Sequence, residues 1–489
     1  MKDLILYFYS YVVFFYSMGL IISYVILMVL AEIGIFRKKY YHLPEYAKYM
    51  INTSPYTPGV SIIAPAYNEE RTIVENVNSL LRQDYPLFEV VIVNDGSRDK
   101  TLELLIEHFS LVEVPFAYVE YIHTKPYKRL LKSTDPKYKR LIVVDKENGG
   151  TKADAVNAGL NASSYPYFIN TDVDCILASD AIGQCIQPIL ESSDVIAVSG
   201  MMTSSNGCEV KNGRIVKRLP PHTPWALFQT LEYMRSFLIG KMGWSTINAM
   251  QNVSGGYGLF DKKIVIAAGG YSSDSFAEDM DMIIRMVGYC CNFKRKYRIV
   301  QIPANCCWTE VPATLTTLSR QRVRWGRGLI QTFMRHRHFL FNFKYKQLGM
   351  IALPYVFIFE FLAPFIEFIG FLVFIYQAFT GAVNWMSALV IFGAIYTFCI
   401  VLAMVIILYD YTLGGAFRKA RSYIWIILAA FFEPFIYHPF IVFFSIRGYF
   451  NYIINKRAVW GEMTRKGFSG KKSEVKPNTA ESSGVGGVS

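Results

Sequence analysis

Charge is scarce in this chain: Asp, Glu, Lys and Arg supply only 18% of its 489 residues, whereas 52% are hydrophobic and 16% aromatic. Apolar content of that size suits a membrane protein, although a large soluble enzyme approaches it, so the location of the apolar residues decides. Zinc-ligand spacing is missing as well. The eight cysteines include two adjacent pairs, Cys290-Cys291 and Cys306-Cys307, but no C-x-x-C, and the seven histidines do not cluster with them. This excludes a zinc knuckle and fits buried, reduced thiols in a cytosolic domain. The amino terminus lacks the basic start, short apolar core and small-residue cleavage site of a signal peptide.

Neither does the formal net charge of +12, with an isoelectric point near 9.1, indicate nucleic acid. Much of the basic charge flanks long apolar runs, at Arg37-Lys38-Lys39, Arg335 to Lys346, Arg418-Lys419-Ala420-Arg421 and from Lys456 onward. Basic residues there mark the cytoplasmic side of membrane spans and attract lipid headgroups.

The apolar runs themselves set the organisation. Leu4 to Phe36 exceeds the roughly 20 residues that a span requires, so residues 1–36 read as one anchoring helix, followed by a cytoplasmic linker over 37–57. Farther on, Ile351 to Phe379 and Met386 to Leu408 are separated by an uncharged loop, while the next loop, Asp410 to Ser422, carries three basic residues. That asymmetry puts the first loop outside and the second inside. The last run, Tyr423 to Phe450, is interrupted by Glu433-Pro434 and His438-Pro439. A simple span would leave the basic tail outside, so a broken or re-entrant segment returning to the cytoplasm fits better. The expected divisions are an interfacial helix over 331–350, a membrane region over 351–452 with two spans and that broken segment, and a disordered Ser/Gly/Lys/Glu tail over 470–489. The whole predicts a multi-pass protein of the cell membrane.

Between residues 58 and 330 the pattern changes. Short β-rich runs (Val60 to Ala64, Val90 to Val93, Arg140 to Val144, Phe168 to Asn170) alternate with helical ones (Arg71 to Arg82, Thr151 to Leu160). This predicts an α/β domain with a mostly parallel sheet covered on both faces. Ligands of such sheets sit at the carboxyl ends of the strands. Acidic groups stand at those ends: Asn94-Asp95-Gly96-Ser97, Asp172-Val173-Asp174, then Glu278-Asp279 and Glu310. Any one of them alone reads equally as a turn or helix cap.

Their order carries more. Ala64-Pro65-Ala66-Tyr67-Asn68-Glu69-Glu70, Asn94 to Asp99, Asn148-Gly149-Gly150-Thr151-Lys152-Ala153-Asp154 and Asp172-Val173-Asp174 are followed by Ser254-Gly255-Gly256, Ala277-Glu278-Asp279 and Gln321-Arg322-Val323-Arg324-Trp325. This series resembles the family 2 glycosyltransferases. The last group resembles the Q-x-x-R-W signature of processive synthases of cellulose, hyaluronan, chitin and poly-N-acetylglucosamine. The resemblance covers about residues 58–330, and the flanking membrane runs extend it. It implies a GT-A-like nucleotide-sugar domain, facing the cytoplasm and flanked by transmembrane helices.

The chemistry of a nucleotide diphosphate sugar is separable from that name. Its diphosphate leaves with concentrated negative charge, which a divalent cation bridges. Mg2+ or Mn2+ prefers carboxylate and phosphate oxygen, which suits Asp174 supported by Asp172. By resemblance, Asp95 and Tyr67-Asn68-Glu69 hold uridine and Lys152 approaches the diphosphate; read alone, Lys152 is equally a solvated lysine at a helix start. The acceptor hydroxyl needs a general base. Resemblance assigns this to Asp279, with Glu278 beside it and Ala277 where the family motif has threonine; read alone, Asp279 is a helix cap. Direct displacement inverts the anomeric carbon, so an α-linked UDP-sugar gives a β-linked product.

Gln321, Arg324 and Trp325 share a helical face by spacing. The resemblance puts Arg324 at the diphosphate and Gln321 and Trp325 at the acceptor; without it the cluster reads as an interfacial anchor. Trp460 to Gly467 resembles the tail motif of some members, implying a gating loop over 453–469 with Trp460 and Arg465, or else plain tail. Glu360, Glu367 and Glu433, set in apolar runs, line a glycan path or pair within the bundle.

The leading expectation is a processive synthase that exports its β-linked chain, most like those of poly-N-acetylglucosamine. Single addition to a lipid-linked acceptor is the second reading, and an inactive scaffold or accessory export subunit the third. Implied partners are a UDP-sugar, a polysaccharide or lipid-linked acceptor, membrane lipids and export or regulatory subunits, the last because no appended regulatory domain is visible; nucleic acid is not among them. The donor sugar depends on pocket shape, which these motifs do not encode.

Overall fold

A computed structural model describes residues 2–37, 45–115, 118–211, 213–417 and 419–454. The expected gating residues Trp460 and Arg465 and the expected tail over 470–489 lie outside the described residues, as do Lys38, Lys39 and Arg418.

Uninterrupted aliphatic runs form stable strands when both faces are covered, and four of them build the centre of the sheet. Val60–Ala66 lies between Phe88–Asp95 and Tyr167–Thr171, parallel to both, and Phe88–Asp95 pairs in parallel with Leu141–Lys146. Every residue of Phe88–Asp95 and of Leu141–Lys146 is buried. Tyr127–Ser133 and Leu111–Glu113 extend one flank antiparallel. On the other flank Tyr257–Asp261 runs antiparallel to Tyr167–Thr171, and the sheet continues through Val195–Ser204, Arg298–Thr309 and Ile176–Leu177. The sheet is mixed, with its parallel strands at the centre, and the fold is a GT-A-like α/β domain. Because the central strands are parallel, Asp95, Lys146 and Thr171 end them on one side.

Four helical runs among the described residues are long and apolar enough to cross a membrane: Ser10–Phe36, Leu348–Phe379, Trp385–Thr412 and Ala420–Ile454. Their outer faces expose Ile22, Ile26, Val29, Phe371, Leu389 and Val390, which lipid would cover and water would not favour. The amino-terminal helix Lys2–Arg37 buries Leu27 and Ala31 against Met242–Thr246 of the sheet domain, and Thr246 Oγ1 donates to the Leu30 carbonyl at 3.0 Å.

The expected interfacial helix, and the break expected in the last apolar run, meet a different geometry. The helix Leu315–His336 crosses residue 330 without a break, and residues 337–352 form short 3-10 and π turns, not one helix over 331–350. A capping box at Thr314 and Thr317 starts the long helix, and positive φ at Phe341 and Lys346 breaks the residues beyond its end into separate turns. The last apolar run keeps a helical backbone through its prolines: Tyr423–Phe432 passes into a π turn, Glu433–Tyr437, and then His438–Ile454. Pro434 lacks the N–H of a regular α ladder, and the wider turn accommodates it.

The helix His438–Ile454 lies on Leu315–His336 where two glycines meet. A Cβ on Gly448 would stand 2.7 Å from the Val323 carbonyl, and one on Gly326 would stand 2.8 Å from the Ser445 carbonyl. Backbone atoms cannot yield there. We expect Gly448→Val to cost about 1–3 kcal/mol by forcing the helices apart; unfolding of the purified chain in detergent measures it, and an unchanged midpoint would show the contact to be slack.

Candidate active site

Loops following the parallel strands knit together before they meet any ligand. Asn68 takes the left-handed conformation at φ 56°, which asparagine tolerates. Its Oδ1 accepts from the Arg98 amide at 2.9 Å and its own amide donates to Ser97 Oγ at 3.1 Å. The Glu69 amide donates to Thr101 Oγ1 at 2.8 Å. The loop after the first strand is thus tied to Asn94–Asp99, and Tyr67 stands exposed beside it. Asp95 Oδ1 accepts from Lys146 Nζ at 2.8 Å and from the Gly149 amide at 2.9 Å.

Lys152 is not a solvated lysine. Its Nζ lies 2.5 Å from Asp172 Oδ1 and donates to the Gly255 carbonyl at 2.6 Å. The Thr151 side chain caps the helix Lys152–Ala162, which fixes where Lys152 leaves the backbone. Burial alone would depress its pKa, but Asp172 and then Glu278 outweigh burial and hold the ammonium above its ordinary value. Asp172, Asp174 and Cys175 each bring a donor atom within 4.8 Å of the others. Asp172 is half-buried and Asp174 and Cys175 are buried; a hard divalent cation prefers carboxylate oxygen to sulfur, so it would meet the two aspartates.

Gly255 joins this clasp to the second acidic group. A Cβ there would sit 3.6 Å from Glu278 Oε1 and 3.7 Å from Asp279 Cβ. The helix Glu278–Asn292 starts at Glu278 with Ala277 in the cap position, so Asp279 is not a cap. Burial, then the adjacent Asp279 carboxylate, raises Glu278 above the ordinary range, against Arg324 and Lys152. One rim therefore carries Lys152, Asp172, Asp174, Glu278 and Asp279.

The helix Leu315–His336 covers that rim. A Cβ on its Gly328 would meet Ala277 Cβ at 2.7 Å, and Gln331 Oε1 accepts from the Phe276 amide at 2.9 Å. The charge of Arg324 opposes the rise of Glu278, and Trp325 is 38% exposed. Gln321 departs from the expected shared face: it is 9% exposed, and its Oε1 accepts from Gln229 Nε2 at 2.9 Å. It ties this helix to Pro224–Arg235 instead of presenting itself beside Trp325.

Several participants lie outside the sequence motifs. Lys146 bridges Asp95 and Asp154 from a wholly buried position; a lysine closing an apolar strand was the available signal. Lys241, buried in the π turn Ser236–Lys241, is lowered to about 8 by burial, with Asp279 as the opposing charge. Arg322 and Glu232 form a bidentate pair. Of the acids in apolar runs, Glu367 pairs with His438 at 2.7 Å and Glu433 with Arg235 of the sheet domain; for these two, pairing is what the geometry records.

Asp281, two residues after Asp279, ties the two helices at the rim. Its carboxylate receives Arg285 Nε at 2.8 Å, His336 Nε2 at 2.8 Å and Arg335 Nη1 at 3.3 Å. Burial would raise it, but His336 and Arg285 prevail and lower it from 3.8 to about 2. A depressed carboxyl stabilises the fold above its unfolded value and loses that contribution as pH falls through the folded one. We expect Asp281→Asn to cost roughly 2 kcal/mol at neutral pH and to flatten the decline in stability between about pH 4 and 2. Unfolding across that pH range checks the sign.

Comparison with known proteins bears on this site. Glycosyl transferase family 2 matches residues 61–251, and Glycosyl transferase family group 2 matches residues 221–432. Poly-beta-1,6-N-acetyl-D-glucosamine synthase of Staphylococcus aureus (strain COL) is 28% identical over 303 residues, 60% of this chain and 62% of that protein. The Staphylococcus epidermidis synthase of the same name is 28% identical over 297 residues, 61% of this chain and 60% of that one. The chain thus spans somewhat under two thirds of the length of these relatives. Among solved structures, a mannosyltransferase from Pyrobaculum calidifontis in complex with GDP-Man and Mn2+ matches with a TM-score of 0.47 and 20% identity, over 84% of this chain and 98% of that one. The family matches together run from residue 61 to residue 432, across both the acidic rim and the helix that covers it, so the chain carries glycosyl transferase family 2 domains.

Proposed function

We propose that this glycosyltransferase moves a sugar, with inversion, from a UDP-sugar to the growing end of a β-linked polysaccharide and exports the chain, most like a poly-N-acetylglucosamine synthase. One observation carries the reading: the Lys152–Asp172 clasp and the Glu278–Asp279 pair meet at Gly255 under the helix bearing Arg324 and Trp325. Donor phosphate chemistry and acceptor deprotonation are thereby neighbours.

In this reading Tyr67, Asn68 and Glu69 line the nucleoside. Asp95 meets uridine through Oδ2, since Oδ1 is engaged by Lys146 and Gly149. Lys152 and Arg324 face the diphosphate. Asp174 and Asp172 hold Mg2+ or Mn2+, which when bound neutralises charge on the leaving diphosphate. Asp279 takes the proton of the acceptor hydroxyl as the new glycosidic bond forms and the bond to the diphosphate breaks, with Glu278 beside it. Trp325 offers its exposed indole to the acceptor ring, and Gln321 acts through Gln229 by fixing the helix.

Two contacts support a cytoplasmic catalytic domain on a multi-pass anchor. The first helix meets it at Leu30, ahead of the basic Arg37-Lys38-Lys39 in the sequence, and Arg218 donates to the carbonyls of Gly414 and Gly415 in the basic loop, at 3.1 and 2.9 Å. Both flanks then obey the positive-inside rule. Mid-run bonds from Glu433 and Tyr437 to the catalytic domain support a last segment that keeps to the cytoplasmic face.

The purified chain, supplied in turn with UDP-N-acetylglucosamine, UDP-glucose or UDP-glucuronate and either metal, should yield a product ladder by mass spectrometry from the first donor alone, in N-acetylhexosamine increments. A single increment would favour the lipid-linked reading, and no transfer from any donor would sink both. Chelation should stop transfer and Mg2+ or Mn2+ restore it. Asp279→Asn should lower turnover about 10³-fold while leaving UDP affinity intact. Glu278→Gln keeps the size of the side chain and removes the carboxylate beside Asp279, so turnover should fall with UDP affinity intact; unchanged turnover would take Glu278 out of the pair.

A further inference from the structure

A buried ion network lies behind the exposed indole. Arg322 donates from Nη1 to Glu232 Oε1 at 2.7 Å, and from Nη2 to Glu232 Oε2 at 2.5 Å and to the Tyr437 hydroxyl at 2.8 Å. The Tyr437 hydroxyl passes its own proton toward Glu232 Oε2 at 2.7 Å. The guanidinium carbon of Arg322 stands 4.2 Å from the centre of the Trp325 ring. Arg322 is 5% exposed, so one face of the indole is covered by a fixed cation while much of the residue stays open.

The chemistry of this arrangement is specific. A guanidinium is planar, so it stacks on a ring while its edges bond two oxygens in the same plane; an ammonium cannot do both. Burial alone would raise Glu232, but Arg322 and then Tyr437 hold it below the ordinary carboxylate range. Buried ion pairs add little net stability over an apolar filling of the same volume, so their service here lies in geometry. Tyr437 belongs to the π turn Glu433–Tyr437 inside the last apolar run, whereas Glu232 belongs to Pro224–Arg235 of the catalytic domain. Within the same two elements, Arg235 and Glu433 form a second bidentate pair.

We propose that Glu232 and Tyr437 are positioning residues for the acceptor: they clamp Arg322 flat against one face of Trp325, so that the other face is held ready for a sugar ring. This rests on the reading above in which Trp325 receives the acceptor. The last apolar run then forms part of the acceptor site, because its π turn supplies one jaw of the clamp. An indole free to change rotamer would lose ordering entropy at each binding event, and the clamp removes that loss beforehand.

The test uses the full chain in lipid nanodiscs, with UDP-N-acetylglucosamine as donor and a β-linked N-acetylglucosamine pentasaccharide as acceptor. Tyr437→Phe deletes one hydroxyl and keeps the ring. It should raise KM for the pentasaccharide three- to tenfold and shorten the product ladder, with donor KM and UDP affinity within twofold of the parent. Arg322→Lys, which keeps the charge and loses the stack, should do more. In a Trp325→Phe background the Tyr437→Phe effect should shrink toward none, because the two act through one ring. Equal losses in donor and acceptor KM, or effects that simply add to those of Trp325→Phe, would overturn the clamp and leave a structural strut. Failure of the parent chain to extend the pentasaccharide would instead remove the acceptor reading of Trp325, and the clamp with it.

Discussion

Lys146 closes a buried strand with its ammonium wholly inside the protein, 2.8 Å from Asp95 and 2.6 Å from Asp154. A charge in that position is costly by several kcal/mol unless its partners are held in place. The remaining donors complete the set: the Gly149 amide reaches Asp95 and the Lys125 amide reaches Asp154. Asp95 ends the neighbouring strand, and Asp154 lies in the first turn of the helix Lys152–Ala162. The triad therefore locks two strand ends and one helix start together. The Tyr67-Asn68-Glu69 loop and the Lys152 clasp both stand beside it, so their separation is set before any ligand arrives.

The second constraint is the meeting of a charged rim with an apolar anchor. The helix Leu315–His336 carries both duties. Its Gly328 presses on Ala277 beside the carboxylate pair, and its Gly326 lies against Gly448 of the last apolar run. Its polar side chains are bonded to the catalytic half by Gln321, Gln331 and Arg335 and to the last run by Arg322. A shift of this helix would move the covering arginine and the indole together. That rigidity suits glycosyl transfer, in which a donor and an acceptor must meet within hydrogen-bond reach, because small misplacements there are expensive in rate.

The elements written in the order of the chain were legible because local physics specifies them. Uninterrupted aliphatic runs found their strands at Val60–Ala66, Phe88–Asp95, Leu141–Lys146 and Tyr167–Thr171, and Asp172-Val173-Asp174 follows the last of these as the parallel arrangement requires. The apolar runs were legible for the same reason, since length and composition alone mark a helix fit to cross a bilayer. Glu278-Asp279 could be read as a pair from adjacency. The ending of the long helix at His336 could not, because it depends on positive-φ residues and turns beyond any periodic pattern.

What only the tertiary structure decided involves partners distant in sequence. Lys146 meets Asp95 across 51 positions, Arg322 meets Glu232 across 90, and Tyr437 meets Glu232 across 205. Helical spacing suggests one face for Gln321 and Trp325, and nothing local reveals that Gln229 would draw Gln321 inward while Arg322 covered the indole. By itself the sequence determined which groups are candidates for the chemistry and which runs suit the membrane, because type and spacing are local properties. Which oxygen each cation holds, and which face of Trp325 is left open, is a property of packing: it exists only once strands and helices far apart in the chain have been brought into contact.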